Sequence, residues 1–186
     1  MLTYAIVDLD KDNEDITQQC AQLLVDGFKN DWPEAWPTLE SALEEVHECL
    51  EPGKICRVAL TPDSQVVGWI GGQDHGYDGN LWELHPMVVH TAYHGHGIGR
   101  ALIADLETLV RARGALTLTL GTDDVTGMTS LSGVNLYENT WEHIRDIRNY
   151  KNHPYEFYQK CGYTITGVMP DANGPGKPDI YMSKRL

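Results

Sequence analysis

Apolar residues recur at helical spacing in three places along the chain. Ile16, Cys20, Leu23, Leu24 and Phe28 form one stripe and predict a helix over residues 14–28. Leu39, Leu43, Val46 and Leu50 form a second, opened by Thr38, whose hydroxyl can cap the first turn. Ile98, Leu102, Leu106, Leu109 and Val110 form the third, and Gly114 ends it. Elsewhere strand signals dominate. Residues 3–8 read as a first strand, and 54–60 and 65–71 read as a hairpin across Thr61-Pro62-Asp63-Ser64. An apolar strand carries Glu83, and Leu116, Leu118 and Leu120 alternate with threonines as a half-buried one. Further helices are expected over about 134–149 and 154–161, then a strand pair at 163–168 and 179–183. Residues 29–37, 71–79 and 170–178, rich in proline or glycine, read as loops. The order is mixed α/β with no repeat and no linker, so residues 1–186 are expected to form one domain.

The densest chemical signal lies where the Glu83 strand meets the third helix. Trp82-Glu83-Leu84-His85-Pro86-Met87-Val88-Val89-His90 runs into His94-Gly95-His96-Gly97-Ile98-Gly99-Arg100. Glycines let backbone N–H groups approach an anion, and the helix N-terminus adds a favourable dipole. An ordinary strand-to-helix connection would also use glycines, so the turn alone is a weak signal. It lacks G-x-x-x-x-G-K-[ST], which argues against triphosphate hydrolysis, and Ala101-Leu102 breaks a dinucleotide fingerprint. A phosphate corner beside a carboxylate is a site for group transfer.

Charge narrows the acceptor. Fourteen basic against 27 acidic side chains give a net charge of −13. Such a surface repels nucleic acid and anionic membranes and attracts polycations, although acidity also serves plain solubility. No apolar run is long enough to span a bilayer, and the first residues do not read as a secretory signal. Cys20, Cys49, Cys56 and Cys161 have no C-x-x-C spacing and read as reduced thiols of a cytoplasmic protein, with a disulfide left open. His85, His90, His94 and His96 do not supply three converging ligands, so no metal is expected.

The corner resembles that of the GNAT acyltransferase superfamily, Q/R-x-x-G-x-G/A after the fourth strand, with His94 in the first position. Further segments are similar to aminoglycoside 6'-N-acetyltransferases. They are Trp82-Glu83-Leu84-His85-Pro86, Leu120-Gly121-Thr122-Asp123-Asp124, Thr129-Ser130-Leu131-Ser132 and His153-Pro154-Tyr155-Glu156-Phe157-Tyr158. Gly167-Val168-Met169-Pro170-Asp171-Ala172-Asn173-Gly174 and Lys177-Pro178-Asp179-Ile180 extend the likeness to the tail. The matches keep one order over roughly residues 66–184, whereas the first 65 residues match chiefly through Asp31-Trp32-Pro33-Glu34.

The resemblance implies a GNAT fold, a mixed central sheet flanked by helices with its glycine-rich cofactor corner after strand 4. It implies a homodimer that moves acetyl from acetyl-coenzyme A to the 6'-amino group of an aminoglycoside by direct attack in a ternary complex. Val88, Val89, His94, Gly95, His96, Gly97, Ile98, Gly99 and Arg100 would line the cofactor. Glu83 would take the amine proton or hold the cationic amine, two roles left open here. The Met87 N–H would stabilise the thioester oxygen, and Tyr158 would protonate the thiolate unless it is only a core aromatic. Asp123 and Asp124, ending the fifth strand, would meet the acceptor, with Asp123 the stronger candidate. Trp32 and Tyr77 would be walls, and Glu138, Glu142 and Asp179 outer contacts. Another polyamine or a protein amine would suit the same chemistry, and a binding protein without turnover would keep the fold.

Overall fold

The computed structural model describes residues 2–186. The chain runs β1 (Ala5–Asp8), α1 (Glu14–Phe28), α2 (Leu39–Cys49), β2 (Ile55–Leu60), β3 (Val66–Asp74) and β4 (Leu81–Val89). It continues as α3 (Ile98–Ala112), β5 (Thr117–Asp123), α4 (Thr140–Arg145), α5 (Tyr155–Lys160), β6 (Thr164–Met169) and β7 (Asp179–Arg185). Two compact units result, one of residues up to Leu118 with Leu186, the other Thr119–Arg185.

In the first unit β1, β2, β3 and β4 pair antiparallel in that order. Capping chemistry starts the helices where the sequence placed them. The Asn13 side chain accepts the Ile16 N–H at 3.2 Å, and Glu14 and Asp15 favour the dipole of the first turn. Thr38 and Ser41 close a reciprocal capping box on α2. Ala42, Val46 and Cys49 form its buried face, while Leu39 is 42% exposed and leaves the expected stripe. On α3, Ile98, Leu102, Ile103, Leu106 and Val110 are all at most 1% exposed. Each such side chain contributes about 1.5–3 kcal/mol. That outweighs the partly exposed Arg57–Asp105 ion pair, 2.7 Å long, which is worth about 1 kcal/mol or less. Apolar burial therefore holds α3 on the sheet, and the ion pair sets its rotation.

Strand β3 corrects an expectation. Residues 71–74 read as loop, yet β3 continues to Asp74. Both α1 and α3 pack on this strand, so Val66 to Gly72 is buried without alternation, and the period-two signal is absent. The glycines at 71 and 72 serve close approach. A methyl group at Gly71 would overlap the His85 carbonyl and the Cys49 sulfur, and one at Gly72 would meet Leu106.

The second unit orders its strands β5, β7, β6, with β6 and β7 antiparallel. The helix expected over 134–149 shrinks to six residues, Thr140–Arg145. Asn139 takes a left-handed φ of 51° before it, and after it the chain turns back along residues 128–130. The Ser130 N–H donates to Arg148 O at 3.0 Å and the Tyr150 N–H to Met128 O at 2.8 Å. Those bonds to a non-local partner displace the helical ones. Gly71→Ala is expected to cost about 1–3 kcal/mol, because the strand opposite must move. Urea denaturation of the variant against wild type measures it, and an unchanged midpoint would mean the backbone relaxes freely there.

Candidate active site

The β3–β4 ladder carries a two-against-one bulge. Ile70 faces Met87 and Gly72 faces Leu84, so His85 and Pro86 together oppose Gly71. Proline lacks the ladder donor, which makes this the place for the interruption. Two residues before it, Glu83 pairs with Gln73. Gln73 Nε2 donates to Glu83 Oε2 at 2.9 Å, and His75 Nε2 stands 3.1 Å from the same oxygen. The carboxylate is thus held in place yet remains 23% exposed. Met87 is the first residue past the bulge, on the same face of β4 as Glu83 and His85.

Beyond β4 the chain makes one 3₁₀ turn, Thr91–Tyr93, then the glycine corner. The His94 Nε2–H donates to the Val89 carbonyl at 2.9 Å, so this ring ties the corner to the end of its strand. Gly95 and Gly97 have φ of 79° and 83°, and no atom lies within 4 Å of a methyl placed on either. Conformation, not crowding, demands glycine there. The first bond of α3 is Ala101 N–H to Gly97 O at 3.0 Å. Helix geometry gives the N–H groups of Ile98, Gly99 and Arg100 no intrahelical acceptor. Three donors and the helix dipole thus converge at the positions expected to meet phosphates, with Arg100 exposed beside them.

A second network holds the bulge itself. His85 Nε2 lies 3.5 Å from Glu45 Oε1 on α2, and the Trp36 indole also bonds that carboxylate. Burial pulls the His85 pKa down, but the Glu45 hydrogen bond and charge, with Glu83 and Glu48, reverse the sign and raise it. Burial pushes Glu45 up, and the His85 and Trp36 bonds bring it below its ordinary value. Trp36 packs edge-on against Phe28 at 4.7 Å, and Trp32 tilts onto Phe28 at 5.5 Å. Trp32 therefore belongs to an aromatic group at the end of α1, while Tyr77 stands 67% exposed.

In the second unit the carboxylates separate by environment. Asp124 is fully buried and accepts the Met128 and Thr129 N–H groups at 2.6 and 2.7 Å. Its oxygens organise the loop after β5. Asp123 is half-buried; the Asn173 amide bonds its side chain, and His153 Nε2 donates to its carbonyl at 3.0 Å. The Asp179 carboxylate lies over Gly121, two residues before Asp123 on the same face of β5. Only glycine leaves room for it. The Asn135 amide holds Glu138 at 3.0 Å. Glu142 lines an open cavity of about 420 Å³ with Asn139, His143, Asp146 and Tyr150. Tyr158 is 8% exposed on α5, and burial raises its pKa, so the phenol keeps its proton.

Gln73, His75, Glu45, Trp36 and Asn173 escaped the sequence reading. Apart from Trp36, which stood in a proline-containing loop, each is a common surface residue type, and only register or tertiary packing gives it a partner. The Glu45–His85 pair makes a pH prediction. The raised histidine stabilises fully below its unfolded value of about 6.5, and the effect fades as pH rises through the higher folded value. The lowered glutamate stabilises above its unfolded value of about 4.3 and fades as pH falls through the lower folded one. Glu45→Gln should therefore lose most stability between about pH 4.3 and 6.5, by about 1 kcal/mol or less given the 47% exposed histidine. Unfolding free energies across pH measure it, and a constant difference would refute the pairing.

Comparison with known proteins agrees with this geometry. The Acetyltransferase (GNAT) family matches residues 18–139. A solved aminoglycoside 6'-N-acetyltransferase complexed with coenzyme A is 39% identical, over 97% of this chain and 96% of that one, with a TM-score of 0.87. The aminoglycoside 6'-N-acetyltransferase from Enterococcus faecium is also 39% identical with the same coverage and a TM-score of 0.84. An aminoglycoside 6'-acetyltransferase type Ii is 34% identical over 97% and 96%, with a TM-score of 0.71. No protein of curated function matches the chain. A strand bearing a tethered glutamate, a glycine corner heading a helix, and these likenesses over nearly the whole chain establish it as a member of the GNAT acetyltransferase family.

Proposed function

We propose that the chain transfers acetyl from acetyl-coenzyme A to the 6'-amino group of aminoglycosides. The observation that carries the reading is Glu83, fixed on β4 by Gln73 and His75, on the strand that leads into the N–H donors of α3. The aminoglycoside acetyltransferases at 39% identity support it. Cofactor phosphates would lie on the corner His94–Arg100, with Val88 and Val89 along the pantetheine. The residues fit this group, since the corner offers main-chain donors where a polyanion needs them.

The amine arrives protonated, and Glu83 takes its proton. The nitrogen attacks the thioester carbonyl, whose growing charge the Met87 N–H stabilises. The C–S bond breaks, the Tyr158 phenol protonates the thiolate, and the second proton shed by the acylated nitrogen replaces the one the phenol gave. Asp123 and Asp179, with Trp32, Tyr77, Glu138 and Glu142 further out, hold the polycation, and the net charge of −13 favours its approach. The reading includes one catalytic domain of 186 residues, a homodimer, no metal, and a cytoplasmic setting where acetylation removes a charge the drug needs on ribosomal RNA. The absence of any helix long and apolar enough to cross a membrane, among the described residues, is compatible with that setting.

Thiol release from acetyl-coenzyme A with kanamycin, and none with paromomycin, which has a hydroxyl at the 6' position, is the expected result. Equal release with both moves the acetylated amine elsewhere, and none with either turns attention to other polyamines and protein amines. Glu83→Gln is expected to lower kcat by about 10²–10⁴. Tyr158→Phe is expected to lower it about tenfold with KM for acetyl-coenzyme A unchanged. Full activity in either variant removes that residue from the mechanism.

A further inference from the structure

Glu83 is held unevenly. Both of its polar contacts, Gln73 Nε2 at 2.9 Å and His75 Nε2 at 3.1 Å, fall on Oε2. Oε1 would then be the oxygen that meets the acceptor. The two partners differ in chemistry. A glutamine amide can donate to a carboxylate but cannot take a proton from it, whereas a neutral imidazole can. Position completes the contrast. His75 follows β3 directly, and its N–H donates to Leu81 O at 2.9 Å, which fixes the turn that joins β3 to β4. Asp74 is turned away to the Gly76 N–H at 2.9 Å. The His75 side chain is 39% exposed while Glu83 is 23% exposed, so the ring touches the carboxylate on one edge and water on the other.

A base that accepts one proton per turnover must lose it before the next. We infer that His75 is a positioning residue that also draws this proton off Glu83 and delivers it to solvent. The inference rests on the role of Glu83 given under Proposed function. The steps balance. The ammonium gives a proton to the Glu83 carboxylate, leaving a neutral amine and a carboxylic acid. The acid gives that proton to Nε2 of the His75 tautomer bearing hydrogen on Nδ1, which restores the carboxylate and forms imidazolium. The imidazolium then releases its Nδ1 proton to water, and solvent exchange of the remaining ring proton from Nε2 to Nδ1 returns the starting tautomer. Gln73 keeps the carboxylate oriented throughout.

The test compares wild type, His75→Ala, His75→Gln and Glu83→Gln in kanamycin-dependent thiol release. Both His75 variants are expected to lose about ten- to a hundredfold in kcat, with KM for acetyl-coenzyme A unchanged. Added imidazole, at tens of millimolar, should restore His75→Ala in a saturable way and leave Glu83→Gln unaffected. A structural role would not respond to imidazole. His75→Gln keeps a hydrogen-bond donor near Oε2, so wild-type kcat in that variant would overturn proton delivery. Failure of imidazole to rescue His75→Ala would overturn it as well. Failure of the underlying reading looks different: wild type itself shows no kanamycin-dependent release, or Glu83→Gln retains full rate.

Discussion

The candidate site depends on the pairing of β3 with β4 across a single bulge. Gly71 admits the His85 carbonyl, and nothing larger than hydrogen fits beneath it. That contact lets two residues of β4 oppose one of β3, and it resets the register beyond. On one side of the bulge the register places Glu83 opposite Gln73 and within reach of His75. On the other side Met87 and Val88 resume pairing and carry the strand to the glycine corner. A slip of one residue would turn Glu83 into the core and Leu84 out of it.

The corner solves an electrostatic problem with main chain. A protein of net charge −13 gains little by adding lysines for a polyanion if it must also attract a polycation. Backbone N–H groups at the start of α3 are positive only locally, and the effect falls off within a turn. The glycines at 95 and 97 supply the positive φ values that aim those groups. His94 contributes through its bond to Val89, so a histidine at this position closes the turn from inside.

Acidic residues of similar appearance perform separate physical tasks. Asp124 satisfies two buried N–H groups, Glu45 pairs with His85, Glu83 faces His75, and Asp179 covers Gly121. Burial and partners decide among these tasks. An Asp-Asp pair at the end of β5 looks in sequence like two equivalent ligand contacts. In the fold one of them turns inward, because the loop that follows has N–H groups that need an acceptor.

Local chemistry made much of the fold readable. Helices α1 and α3 carry complete apolar stripes with a cap or a glycine stop, and both stand where periodicity placed them. The corner was legible because positive φ values require glycine wherever they occur. The order of the motifs, with its likeness to known acetyltransferases, identified the family. The extent of β3 was not legible, because Gly71 and Gly72 look like loop residues and the close approaches that require them come from residues distant in sequence. Residues 134–149 looked helical because their non-local pairing with 128–130 has no local trace. Gln73, His75 and Glu45 acquired their roles only through register and helix packing. The sequence alone therefore determined which segments could form and where a turn needs glycine, since those depend on neighbours in the chain. Tertiary structure decided which polar side chains meet, since a hydrogen bond depends on distances of a few tenths of an ångström between residues far apart in sequence.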